Sequence, residues 1–187
     1  MDNYNQQYAY GHSAPPNNAP IYDNATPHSH QPTSKYMSVK SHGAKTAIGF
    51  EPDQTRSGWD TARIEAAPKL NPNSKAFDWE NKITIQLTKS ELPIVISVLL
   101  GYKRECKFQN HGESNKWFEI INQGSNFFVK VGDVLNKKLI VCPVPIVEAH
   151  LMGLLGLSQH TKNFDGLTSD AALSAIKTLA AHLNKNA

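Results

Sequence analysis

From residue 45 onward, apolar and polar positions alternate in short stretches separated by turn-forming residues. In Lys45 to Pro52, Thr46, Ile48 and Phe50 stand against Lys45, Ala47 and Gly49. That is the pattern of a half-buried strand, because successive side chains of a strand leave opposite faces. Trp59 to Ala67 alternates again, with Ala62, Ile64 and Ala66 opposite Thr61, Arg63 and Glu65, and Pro68 ends the run. A third run, Phe77 to Leu87, sets Ile83, Ile85 and Leu87 against Thr84 and Gln86. The pattern then changes. Leu92, Ile94, Val95, Ile96, Val98, Leu99 and Leu100 surround a helix on nearly every side, so this helix is expected to be buried. Ser90 is its expected N-cap, Pro93 falls in the first turn, and Gly101 stops it. Four more strands are expected at Lys103 to Asn110, Lys116 to Asn122, Asn126 to Val131 and Lys138 to Val144. After Pro145 a helix follows, marked by Ile146, Val147, His150, Leu151, Leu154 and Leu155. A last helix over Ser169 to Leu183 carries Leu173, Ile176, Leu179 and Leu183 as one stripe.

Strands, helix, four strands, helix and an extra helix, with short connections, predict an α+β fold built on antiparallel sheets. Residues 1–38 are rich in Asn, Gln, Pro, Tyr, His and Ser and nearly lack aliphatic side chains. Such a stretch cannot bury enough surface to offset the entropy of ordering it, so it is expected to be a disordered polar tail. The layout that follows is a tail over 1–38, a folded domain over 39–160 and a helical extension over 161–187.

Charge sharpens this picture through its distribution. The chain of 187 residues carries a formal +3, but no Lys or Arg occurs before Lys35. All 19 basic residues and 14 of the 16 acids lie from Lys35 onward, which leaves 19 − 14 = +5 there. The two cysteines, Cys106 and Cys142, form neither a disulfide framework nor a Cys-x-x-Cys pair, which predicts buried thiols in a reducing compartment. The longest apolar run, Leu92 to Leu100, is too short to cross a bilayer, which takes about 20 residues. With neither a secretory nor an organellar leader evident, the sequence predicts a cytoplasmic, nucleoid-associated protein of bacterial or phage type, an organellar place being left open.

Three stretches carry a family resemblance. Lys45-Thr-Ala-Ile-Gly-Phe-Glu-Pro52 resembles the signature strand of the Whirly proteins. Phe77-Asp-Trp-Glu-Asn-Lys82 is similar to that family's aromatic-Asp-Trp-Glu-Lys-Lys, and Leu100-Gly-Tyr-Lys-Arg-Glu-Cys-Lys-Phe108 to its Leu-Gly segment after the buried helix. The likeness spans about residues 36–160 in the right order. It implies a Whirly-like fold of two four-stranded antiparallel sheets packed roughly perpendicular and braced by helices. It also implies a homotetramer packed through helices, which binds single-stranded DNA across the sheets with little sequence preference; a related branch binds RNA. His42-Gly-Ala-Lys45 stands where Lys-Gly-Lys is expected, so the larger shells linked to that lysine pair are not implied. The family's aromatic, acidic C-terminal tail is replaced by the helix over Ser169 to Leu183.

Capture of a single strand needs cations for phosphates and flat side chains on which bases stack. The strands supply both. The candidate binding residues are Lys45, Trp59 and Arg63 on the first sheet, and Lys103, Arg104, Lys107, Trp117, Phe127 and Lys130 on the second. Phe128 lies beside Phe127 on the same strand, whereas Trp79, between Asp78 and Glu80, reads as structural. The eight histidines show no metal-ligand spacing, and no phosphate loop, nucleophile elbow or paired-carboxylate motif stands out. The expected function is sequence-independent binding of single-stranded DNA in replication, repair or recombination, with no enzymatic activity, cofactor, metal or small-molecule substrate. The alternatives are an RNA-binding matchmaker, a transcription regulator and a structural adaptor for protein partners.

Overall fold

The computed structural model describes residues 37–185, so nearly all of the expected polar tail lies outside the described residues. Strands β1 (Val39–His42), β2 (Thr46–Gln54), β3 (Asp60–Pro68) and β4 (Ile83–Gln86) form one sheet in that order, each antiparallel to the next. Helix α1 (Glu91–Leu99) follows. A second antiparallel sheet is built from β5 (Glu105–His111), β6 (Lys116–Asn122), β7 (Asn126–Asp133) and β8 (Lys138–Pro145), then come α2 (Ile146–Thr161) and α3 (Ser169–Lys185). The inner faces of both sheets and all three helices share one core. Ile48, Phe50 and Ile64 enter it from the first sheet, Phe118, Phe127 and Val131 from the second, and all are 2% exposed or less. Each such side chain contributes about 1.5–3 kcal/mol of burial.

Helix α1 is enclosed as its composition predicts, with Leu92, Val95, Ile96 and Val98 fully buried. Its start differs from the expectation at Ser90, whose side chain makes no capping bond. Thr88 does that work instead. Its backbone N–H donates to Glu91 Oε2 at 2.9 Å while the Glu91 N–H donates to Thr88 Oγ1 at 3.3 Å, the reciprocal pair of a capping box. At the other end Gly101 sits at φ 81°, and the N–H groups of Gly101 and Tyr102 donate to Val98 O and Ser97 O, closing a Schellman turn.

The sequence hides β1, whose four residues are too few to show alternation. It also overstates β4: residues 77–82 are irregular, and Asp78 turns the chain by accepting from the Asn81 N–H at 3.2 Å. The larger difference is on α2, where Ile146, Val147, Leu151 and Leu154 are 53%, 65%, 48% and 46% exposed. The helix instead buries Ala149, Met152, Gly153, Leu155 and Gly156. Helix α1 crosses so closely that a Cβ on Gly153 would lie 2.6 Å from Leu100 Cδ2, and one on Gly156 3.0 Å from Ile96 Cγ1. Of the residues that mark this helix in the sequence only Leu155 is buried, and the glycines that let it pack carry almost no hydrophobic signal. Helix α3 lays Ala172, Ile176 and Ala180 into the core against α1 and α2. Asn184 Nδ2 donates to Tyr102 O at 3.0 Å, and the Lys177 ammonium lies 5.3 Å from the Tyr102 ring centre.

Candidate nucleic-acid interface

Strand register fixes which side chains share the outer face of the second sheet. One cross-strand row is Glu105, Ile121, Phe128 and Pro143; the next is Lys107, Glu119, Lys130 and Val141; a third is Trp117, Gly132 and Leu139. Trp117 lies flat across β7 because its neighbour there has no side chain. A Cβ built on Gly132 would fall 2.1 Å from Trp117 Nε1. The Lys107 ammonium stands 5.3 Å from the indole centre, a cation–π contact that holds a charge beside the ring. The half-buried Phe128 and Ile121 complete an apolar strip, with Leu139 61% exposed at its margin. Rings and aliphatic surface held flat on a rigid sheet are what unpaired bases stack on.

The charge on this face is balanced. Lys107 and Lys130 are matched by Glu105 and Glu119, and Lys130 Nζ lies 2.7 Å from Glu119 Oε2. Arg104 is exposed and Lys103 half-buried just before β5, where they add two cations. Lys103, Lys107, Glu105 and Glu119 also rim a cavity of about 390 Å³ floored by Ile94, Phe108 and Leu183.

The structure thus brings Lys103, Arg104, Lys107, Trp117 and Lys130 onto or beside one face and separates the other candidates from it. Phe127 points inward and is 1% exposed; the outward ring is Phe128, since a one-residue step along a strand reverses the face. Arg63 is engaged by carboxylates, 2.7 Å from Glu51 Oε2, 3.0 Å from Glu65 Oε1 and 3.9 Å from Asp53 Oδ1. Lys82 adds a 2.8 Å pair to Glu65. Acids therefore surround the guanidinium and oppose a phosphate there. Trp59, at the start of β3, is packed edge-on by Phe164 with ring centres 5.6 Å apart and its Nε1 buried, so it closes the end of α2. Lys45 is exposed in the turn between β1 and β2. That turn abuts β8, where Thr46 Oγ1 donates to Val141 O at 2.7 Å.

One arrangement escaped the sequence. Trp79 lies on the outer face of the first sheet, its ring 3.7 Å from where a Cβ of Gly49 would be, and the Lys40 ammonium stands 4.7 Å from the ring centre. Each sheet thus carries an indole laid over a glycine with a lysine above it. Gly49 and Gly132 are the signals in the sequence, but glycine marks a close approach without naming what approaches.

Other titratable groups serve the fold. Burial pushes the Cys106 thiol up to about 12 and raises Cys142 as well, so both are neutral. Burial alone would raise Glu91, but the His111 imidazole and Thr88 outweigh it and hold the carboxyl below its ordinary value. His111 Nε2 lies 3.1 Å from Glu91 Oε1. Among the described residues no three His, Cys, Asp or Glu side chains are grouped so as to hold a metal ion, and no helix is long and apolar enough to cross a membrane.

Compared by sequence, the chain matches no protein-family model and no curated protein. Compared by structure, it has the Whirly fold. It is similar to the plant transcriptional regulator PBF-2 at 20% identity, over 65% of this chain and 78% of that one, with a TM-score of 0.51. It is likewise similar to WHY1 and WHY3 of Arabidopsis thaliana, at 19% and 18% identity over 65% of this chain and 81% and 84% of theirs, with TM-scores of 0.51 and 0.50. At such identities the likeness establishes the architecture.

Proposed function

We propose that this protein binds single-stranded nucleic acid, DNA first, on the outer face of the second sheet and without marked sequence preference. The observation that carries the reading is the Trp117 indole laid flat on Gly132 with Lys107 above it, next to the outward ring of Phe128. A ring fixed in this way offers a stacking surface to any base, since every base has a π-face. Arg104, Lys103 and Lys107 supply phosphate contacts at the β5 end. The role that fits such binding is protection or organisation of exposed strands in replication, repair or recombination.

The apolar stripe of α2 supports assembly. Ile146, Val147, Leu151 and Leu154 lie on one exposed side of the helix, and a second copy of this chain is the partner that fits, in the homotetramer packed through helices that the sequence resemblance implies. Copies packed in this way would present several stacking faces to one strand.

The test is a gel-shift series with oligo(dT), single-stranded RNA and duplex DNA at two salt concentrations, on the full chain and on the triple variant Lys103→Ala, Arg104→Ala, Lys107→Ala. Preferential retention of the single strand, with affinity falling as salt rises, is expected. The variant should lose affinity and flatten the salt dependence. Sequence-selective duplex binding would instead make the protein a transcription regulator, and unchanged binding by the variant would place the strand elsewhere.

A further inference from the structure

The face just described is rich in rings and poor in uncompensated charge, yet the chain carries a clear excess of cations from Lys35 onward. Most of that excess collects elsewhere. Lys45, Lys69, Lys75, Lys137 and Lys138 border a run of open cavities where the β1–β2 turn, the 68–77 loop and the β7–β8 hairpin meet. Two of these cavities, of about 690 and 360 Å³, share Lys69 and Ala44; the third shares Pro68 with the first. Lys40 stands next to them over Trp79. Among the described residues none of these six lysines lies within ion-pair distance of a carboxylate, whereas Arg63, Lys82 and Lys130 all do. The acid that lines the same run, Asp78, is bonded by Asn81 at 2.9 Å. Like charges bordering one run of cavities repel one another, and an anionic ligand relieves that repulsion.

Flat rings accompany the lysines. His42 is stacked on Phe77 with ring centres 5.2 Å apart and planes 22° from parallel, and Trp79 lies on Gly49 beside them. Lysines interleaved with rings suit a nucleic-acid strand, whose phosphates take the charges and whose bases take the rings. The run is also continuous with the second sheet. A Cβ on Gly43 would lie 3.4 Å from Pro143 Cδ, and Lys137, Lys138 and Leu139 line the third cavity together. A strand crossing β5 to β8 covers about 14 Å at the usual strand spacing, and on leaving β8 it arrives at Lys45.

We infer that this lysine-lined run is a second strand-binding subsite, which takes the phosphates of a single strand continuing beyond β8 and stacks its bases on His42–Phe77 and Trp79. The inference rests on the function proposed above. A short oligonucleotide reaches the second sheet alone and only a longer one reaches this subsite as well, so length separates the two.

The test uses the full chain and the triple variant Lys69→Gln, Lys75→Gln, Lys138→Gln, whose exposed or half-buried side chains make no hydrogen bond that the fold needs. Binding of oligo(dT) is measured from about 4 to about 16 nucleotides, the range that single-strand-binding folds cover. In the wild type, affinity should rise steeply once the oligonucleotide is long enough to pass β8. In the variant, short-oligonucleotide affinity should stay within about twofold, while for long ones the slope of log K against log salt becomes shallower by about 2, at roughly 0.7 for each phosphate that is no longer neutralised. Unchanged affinity and slope at every length would overturn the subsite alone. Equal losses at every length would also overturn it, leaving the lysines as a general field. A gain produced by a duplex flank and not by added single strand would reassign the lysines to duplex and overturn it as well. A wild-type protein that holds no single strand of any length would refute the parent reading, and this one with it.

Discussion

Substituting Gly132 tests the stacking face without removing any ring. A Cβ there would stand 2.1 Å from Trp117 Nε1 and 2.3 Å from Cε2, against an ordinary contact of 3.4 Å or more. The indole must therefore move by at least 3.4 − 2.1 = 1.3 Å. It has room to do so, because Trp117 is a half-buried side chain on the outer face. The poorer packing of the ring is opposed by the gain from replacing glycine in a strand, about 0.5–1 kcal/mol. The stability of Gly132→Ala should therefore stay within about 1 kcal/mol of the wild type. Affinity should change more. Lifting the ring forfeits one stacked base, about 1–3 kcal/mol, which is roughly a 5- to 150-fold weaker Kd. Fluorescence titration with oligo(dT), alongside thermal melting, reads both quantities. Trp117→Ala should weaken binding similarly, and the double variant should be no worse than either single one, since both remove the same platform. Additive losses, or Gly132→Ala binding within twofold of the wild type while its emission shows a displaced indole, would refute the assignment of Trp117 as a base platform.

Phe127 and Phe128 should separate fold from binding: Phe127→Ala should cost about 3–5 kcal/mol of stability in chemical denaturation, while Phe128→Ala should leave stability nearly unchanged and weaken oligo(dT) by about 1–3 kcal/mol. Leu151→Asp with Leu154→Asp should abolish the proposed assembly and leave folded monomers by native mass spectrometry, because both side chains are close to half exposed within one chain. Stability should fall in two stages on acidification. Burial lowers the His160 pKa below its ordinary value of 6.5, so the unfolded chain takes up a proton first; stability is full above about 6.5 and falls as pH drops through the folded value. Glu91, held below its ordinary 4.5, adds stability that is complete above that value and lost as pH falls through its folded one. Melting curves of His160→Gln should lack the first stage and those of Glu91→Gln the second.

Much of this protein is legible in its residues. Alternation marks β2, β3 and the four strands of the second sheet, and an unbroken apolar circumference marks α1 as central, because these patterns follow from where a strand or a helix must put its side chains. The lysine over an indole at Trp117 also lies within a stretch whose rings and charges are plain in the sequence. What the sequence leaves open is decided by contacts between distant segments. Register, not composition, turns Phe127 inward and Phe128 outward. The approach of Glu51, Asp53 and Glu65 engages Arg63, and Phe164 covers Trp59 from more than a hundred residues away. The close crossing at Gly153 and Gly156 leaves Ile146, Val147, Leu151 and Leu154 of α2 out at the surface. Period and propensity describe one segment at a time, whereas a side chain's exposure and its ionic partners depend on which other segments come to lie beside it.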